Sequence, residues 1–201
     1  MKNLTSTNNL IWKPVKTEHI IQDSWIDFRR MTYTLPDGTV SGPYYNYSRR
    51  SYAVIVPFDE NGNLICVKQF RYGIGAVTTE FPAGGIETGC ENEYTTQDNE
   101  ALESAFDAAK RELKEETGYV SDSWEHLITV PSNATMSDNY AYIFKAKNCR
   151  HISEQHLDDT EFLNVEKYSP SEIDDLIKTG RFQQAMHIMA WYISKNAKHS
   201  H

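Results

Sequence analysis

The chain has 201 residues, 39% hydrophobic and 24% charged, which is enough to bury a core and a poor match for a disordered or fibrous protein. Acidic residues number 28 against 20 basic ones, a formal charge of −8, and the longest basic runs are pairs such as Arg29-Arg30 and Arg49-Arg50. That balance argues against a nucleic-acid partner, whose phosphates require a basic stripe. The apolar runs, such as Tyr52 to Val56, are too short to cross a bilayer, and the first residues carry no apolar stretch of the kind a secretory signal needs. Three cysteines, Cys66, Cys90 and Cys149, are scattered without zinc-site spacing and read as small packing residues in a reducing compartment. The expectation is a cytoplasmic protein with no membrane partner.

Residues 1–48 read as a small β-rich section, and 49–201 as the main domain. In the first, residues 25–28 (Trp-Ile-Asp-Phe) and 31–34 (Met-Thr-Tyr-Thr) favour strands, and residues 35–38 (Leu-Pro-Asp-Gly) supply a turn. Tyr52 to Phe58 reads as a buried strand, Asn61-Gly62 as a hairpin turn and Leu64 to Phe70 as the returning strand. Residues 81–85 (Phe-Pro-Ala-Gly-Gly) are expected to break any regular element. Residues 90–99 form a polar loop in which Asp98 or Asn99 is placed to cap a helix. From Glu100 to Thr117, Leu102, Ala105, Phe106, Ala109 and Leu113 recur at helical spacing, and Gly118 ends the helix. Strands are expected near Leu127–Val130, Tyr140–Ala146 and Glu161–Val165. Ser169-Pro170-Ser171-Glu172 is a capping box with Gly180 as the stop, and a last helix covers about Gln183 to Lys195. Strands mixed with three helices predict an α/β or α+β fold.

The chemistry concentrates in residues 111–119, Arg-Glu-Leu-Lys-Glu-Glu-Thr-Gly-Tyr. Glu112, Glu115 and Glu116 stand at i, i+3 and i+4, on one side of the helix. A solvated acidic face is the plain alternative, but two costs oppose it. Like charges at this spacing cost roughly 0.2–0.5 kcal/mol per pair, and acids in the last turns face the negative end of the helix dipole at roughly 0.3–1 kcal/mol each. A divalent cation reverses both signs, and oxygen ligands without Cys or His suit Mg²⁺ or Mn²⁺. Arg111, four residues from both Asp107 and Glu115, is placed to hold the acids together.

This segment resembles the second half of the Nudix box, G-x5-E-x7-R-E-U-x-E-E-x-G-U, where U is a bulky apolar or aromatic residue. Residues 80–87 (Glu-Phe-Pro-Ala-Gly-Gly-Ile-Glu) and 69–72 (Gln-Phe-Arg-Tyr) resemble segments of the ADP-ribose pyrophosphatase branch of that family. The resemblance implies an α/β/α sandwich on a mixed sheet. It implies that Glu112, Glu116 and the Ala83 carbonyl hold one Mg²⁺ and Glu115 a second, with Glu115 and Arg111 belonging to the catalytic group. Gly84 lets the backbone approach the site, Arg71 contacts substrate phosphate, and Glu161, in residues 158–165, is the candidate general base or extra metal ligand. A homodimer that swaps its N-terminal section is also implied. There Trp12, Trp25, Tyr44 and Tyr45 are candidates for stacking on a base, Trp25 first among them, with core or dimer interface the alternative for each.

Two departures stand out. If Gly84 is the box glycine, the next box acid falls on Cys90, and the stretch to Arg111 is far longer than seven residues. Glu103, eight before Arg111, and Glu91 are both candidates for the displaced acid. After the box, Pro131 to Asp138 reads Pro-Ser-Asn-Ala-Thr-Met-Ser-Asp where relatives carry P-S-P-G-x-S-D. The expected function is Mg²⁺-dependent hydrolysis of a nucleoside diphosphate linked to another moiety, with ADP-ribose first. Another nucleotide-sugar pyrophosphatase and a non-catalytic nucleotide-binding regulator remain as alternatives.

Overall fold

The computed structural model describes residues 10–88 and 103–196. It opens with an antiparallel sheet of β1 (Lys13–Gln22), β2 (Asp27–Thr34) and β3 (Val40–Ser48), in that order. Trp25, expected in a strand, lies in the β1–β2 turn. The Asp23 carboxylate accepts from the main-chain N–H groups of Trp25 and Ile26 at 2.8 and 3.0 Å, and this local bond competes with strand pairing until Asp27.

The second sheet holds β4 (Tyr52–Asp59), β5 (Leu64–Arg71), β6 (Ala76–Glu80), β7 (Ala83–Gly85), β8 (Tyr119–Val120), β9 (Ser123–Pro131), β10 (Tyr140–His151) and β11 (Leu163–Tyr168). Its spine runs β11-β5-β4-β10-β8, with β6 on β5, β7 on β4 and β9 on β10. β4 and β10 are parallel and the β4–β5 hairpin antiparallel, so the sheet is mixed. The hairpin turns at Gly62 (φ 81°), and Asp59 Oδ1 accepts from the N–H groups of Asn61 and Asn63, both at 2.9 Å.

The continuous apolar run of β4 has its reason in burial on both faces. Ala53 and Ile55 pack with Ala108, Ala109 and Leu113 of α1 (Ala105–Thr117). Val54 and Val56 pack with Phe81, Phe182, Ile173 of α2 (Pro170–Lys178) and Trp191 of α3 (Ala185–Asn196). The sheet is thus sandwiched between α1 and the α2/α3 pair, the α/β/α arrangement that the Nudix resemblance implies.

β9 and β10 run longer than the sequence reading, to Ser123–Pro131 and Tyr140–His151, and three differences bear on the site. Residues 83–85 pair with Tyr52–Val54 as β7, although the Pro-Gly composition hides the strand. α1 starts at Ala105, where the Ser104 hydroxyl accepts from the Asp107 N–H at 3.1 Å; Asp98, Asn99 and the 90–99 loop lie outside the described residues. β11 begins at Leu163, because Glu161 is held in a turn by its N–H bond to the Asp158 carbonyl at 2.9 Å. The Ser169–Glu172 capping box and the left-handed Gly118 (φ 72°) match the expectation.

Candidate active site

A cleft of about 580 Å³ opens between the β1–β2 turn, β7, α1 and the loop before β11. Trp25, Arg71, Ala83, Gly84, Arg111, Glu112 and Glu161 all line it.

Glu112 and Glu116 sit one turn apart on α1, against β7, and both are buried. Glu116 Oε2 accepts from the Ala83 N–H at 3.0 Å. A Cβ on Gly84 would overlap the Glu112 carboxyl group, so a larger residue here would push that carboxyl from its place. Burial and then the repulsion of Glu112 push the Glu116 carboxyl well above its usual range. Burial likewise pushes Glu112 up to about 7, with Arg111 opposing and Glu115 and Glu161 adding repulsion. The pair is short of positive charge.

That deficit has a pH signature. A carboxyl raised in the folded state favours folding while protonated, and the advantage disappears as pH rises past the folded value. Metal-free protein is therefore expected to lose stability between about pH 4.5 and 7, by up to about 3 kcal/mol from Glu112. Urea melts in chelator across that range check it; stability that is flat there in wild type, or that falls equally in Glu112→Gln, contradicts it.

Arg111 ties the acids to the neighbouring loop. Its Nη1 donates to Glu112 Oε1 at 2.8 Å and Glu115 Oε2 at 2.9 Å. Its Nη2 donates to the Gly85 carbonyl at 2.9 Å and Glu103 Oε1 at 2.7 Å, and its Nε to Glu103 Oε2 at 3.2 Å. Asp107, expected to pair with Arg111, instead accepts from Lys110 Nζ at 3.1 Å. The bidentate, half-sheltered Glu103 holds the guanidinium on the other side. Glu103 also accepts from the Glu87 N–H at 3.0 Å, so it spans the two ends of the 89–102 stretch. Of the two candidate acids, Glu103 is the one on Arg111; Glu91 lies outside the described residues. Glu103→Gln is expected to lower kcat by about tenfold with a small stability loss, because an outer partner orients what Arg111 holds. Unchanged kcat counts against it.

Glu115 is not drawn into the cleft. Its side chain is 41% exposed, bonded to Arg111, and lines a neighbouring groove with Lys110, Lys114 and Trp124. Among the described residues no group of three His, Cys, Asp or Glu is arranged to hold a metal ion. The donors available beside the cleft are two buried carboxylates and the β7 main chain. These are hard oxygen atoms with unbalanced charge, which fits Mg²⁺ or Mn²⁺.

On the facing wall Arg71 makes a bidentate pair with Glu80, Nε to Oε1 at 2.9 Å and Nη2 to Oε2 at 2.5 Å. Glu80 has no exposed surface. Burial, the largest single influence, works to raise its carboxyl, but the Arg71 bond, nearby His187, the Thr78 bond and the Arg71 charge together hold it below the usual range. Sequence reasoning assigned Glu80 no role, and the β5–β6 register, which sets Glu80 opposite Val67 and Arg71 opposite Ala76, gives no signal of the pair. Glu161 is exposed at the rim, its carboxylate accepting from the Asp158 N–H at 3.1 Å. Trp25, 72% exposed, stands over the cleft from the N-terminal sheet. Trp12 and Tyr44 instead pack on each other, and Phe28 stacks on Tyr45. Asp138, in the divergent 131–138 segment, accepts from Arg29 Nη2 at 3.0 Å and Ser48 Oγ at 2.5 Å, joining the two sheets beside the cleft.

The sequence profile of the NUDIX domain matches residues 48–192. The chain belongs to the Nudix family, and within it to the pyrophosphohydrolases. It is 31% identical over 154 residues to the ADP-ribose pyrophosphatase of Bacillus subtilis (strain 168), covering 76% of each chain. It is also 27% identical over 179 residues to the methanol dehydrogenase activator of Bacillus methanolicus, covering 89% of each. A solved ADP compounds hydrolase shares the fold, with a TM-score of 0.75 at 21% identity over 92% of this chain and 93% of that one.

Proposed function

We propose that this protein hydrolyses the pyrophosphate bond of a nucleoside diphosphate linked to another moiety, with ADP-ribose split to AMP and ribose 5-phosphate as the leading reaction. One observation carries the reading: a cleft lined by buried Glu112, with buried Glu116 one turn along α1 behind it, and by Arg71. The B. subtilis relative's substrate supports ADP-ribose over other nucleotide sugars.

Glu112, Glu116 and the Ala83 carbonyl would hold Mg²⁺, and Glu115 a second ion after leaving Arg111. Magnesium bound there supplies positive charge for the bridging phosphates. Arg71 has Nη1 left over from its Glu80 pair and offers it to a phosphoryl oxygen. Trp25 stacks on the base. Glu161, exposed and free to reorient at the rim, takes the proton of the attacking water on a carboxylate oxygen.

The test is an assay of ADP-ribose, nucleotide sugars and dinucleotides with Mg²⁺. Release of AMP from ADP-ribose at the highest kcat/KM is expected. A higher value for another nucleotide sugar replaces the substrate, and no turnover of any of them favours a nucleotide-binding regulator.

We also infer a homodimer built on the N-terminal sheet, working in the cytoplasm. Trp12, just before β1, and Val15, Ile20 and Ile21 within it are exposed, apolar side chains of the kind partners cover. Cys66 and Cys149 are free and buried, as in a reducing compartment. Light scattering is expected to give twice the chain mass, with monomer on Ile20→Glu/Ile21→Glu; monomeric wild type contradicts the dimer.

A further inference from the structure

The first turn of α3 closes the Arg71 end of the cleft. There His187 is buried, 4% exposed, yet lines the cleft together with Gln184 and Arg71. Its Nδ1 accepts the Phe81 main-chain N–H at 3.1 Å, and its ring lies 4° from parallel to the Phe81 ring at 6.3 Å. That bond decides the tautomer, because a neutral ring whose Nδ1 accepts carries its proton on Nε2. Burial pushes the imidazole down to about 4, with Glu80 opposing and Arg71 adding, so the ring is uncharged at neutral pH. Among the described residues Nε2 has no hydrogen-bond acceptor.

The groups around it are donors. Arg71 turns Nε and Nη2 to Glu80, and Gln184 Nε2 lies 3.4 Å from the same carboxylate. The first helical bond of this turn runs from the Ile188 N–H to the Gln184 carbonyl at 2.9 Å, so the N–H groups before it have no partner within the helix. The positive end of the helix dipole adds to them. A wall of donors above a fully buried carboxylate is matched to an oxyanion. Glu80 offsets one positive charge and keeps the arginine in place.

We propose that His187 binds substrate directly, its Nε2–H donating to a non-bridging phosphoryl oxygen held between Arg71 and the N-terminus of α3. The identity of that phosphate as the substrate's rests on the hydrolase reading above. The same imidazole also fixes Phe81, two residues before Ala83, so the bond to substrate and the bond to the main chain have to be separated.

Two variants do so. In His187→Asn the amide oxygen stays near the Phe81 N–H while the Nε2–H is lost. In His187→Gln the longer amide carries a donor to the place of Nε2. Titration with inorganic pyrophosphate in the presence of Mg²⁺ requires no knowledge of the full substrate. Saturable binding is expected for wild type, weakened about tenfold in His187→Asn at nearly unchanged Tm and within about threefold in His187→Gln, as for loss and retention of one bond to a charged acceptor. Wild-type affinity in His187→Asn, weakening only in His187→Gln together with a fall in Tm, or no saturable binding by wild type overturns the proposal. ADP-ribose turnover is measured alongside. Pyrophosphate binding that follows the expected order without ADP-ribose turnover supports the His187 site and contradicts the substrate.

Discussion

Replacing Glu116 by glutamine is expected to lower kcat on ADP-ribose on the order of 100- to 1,000-fold, the size seen when one preorganised electrostatic contact to a transition state is removed. The metal-free protein should at the same time become more stable. Glutamine keeps the shape and leaves the Ala83 N–H an acceptor, while the buried charge that repels Glu112 is gone. A gain of about 1 kcal/mol raises Tm by roughly 2–4 °C in a chain of this size. Lower activity with higher stability is the pattern of a functional group held at a structural cost. Kinetics and melts on one preparation decide it. A variant that turns over at the wild-type rate removes Glu116 from the chemistry, and one that is less stable shows that its carboxylate is structural.

Arg71→Met carries the second large effect, and it has two parts. Glu80 has no exposed surface and is left without its cation, whereas Arg71 is 35% exposed and screened by solvent. The expected loss is about 3 kcal/mol, at the lower end for breaking a buried pair. That lowers Tm by roughly 6–12 °C. The KM for ADP-ribose rises at least about tenfold, because a charge-assisted bond to phosphate is lost as well. The double variant Arg71→Met/Glu80→Met separates the parts. Stability returns because no unpaired charge remains, while KM stays high because the phosphate contact is still missing. If KM recovers together with Tm, Arg71 acts only on the fold.

Much of the architecture could be read from local signals with a single physical cause. The α1 periodicity from Ala105 onward, the Gly118 stop and the Ser169 capping box each depend on a few neighbouring residues and appear where expected, whereas the α1 start, expected at Glu100, lies at Ala105. Elements set by tertiary pairing were hidden. β7 is three residues with a preceding proline, and only its alignment on Tyr52–Val54 makes it a strand. Trp25 has the composition of a strand, but the Asp23 side chain captures its backbone.

The site divides in the same way. The Glu112/Glu116 pair was visible because helical spacing places i and i+4 together. Glu103 was one of two open candidates because the 89–102 stretch separates it from the glycines, and only the Arg111 bonds single it out. Glu115 has the same spacing as its neighbours, yet Arg111 draws it toward solvent. Glu80 and His187 were missed altogether. Their roles depend on burial and on one contact each, to Arg71 and to Phe81, and sequence spacing shows neither.

The most direct test of the central idea is the thermal melt of wild type and Glu112→Gln/Glu116→Gln at pH 8, each with chelator and then with millimolar Mg²⁺. Bound ion should raise the wild-type Tm by several degrees, as expected for a ligand that favours the folded state, and leave the double variant unmoved. Equal shifts in both proteins, or none in wild type, would show that these carboxylates do not hold the ion.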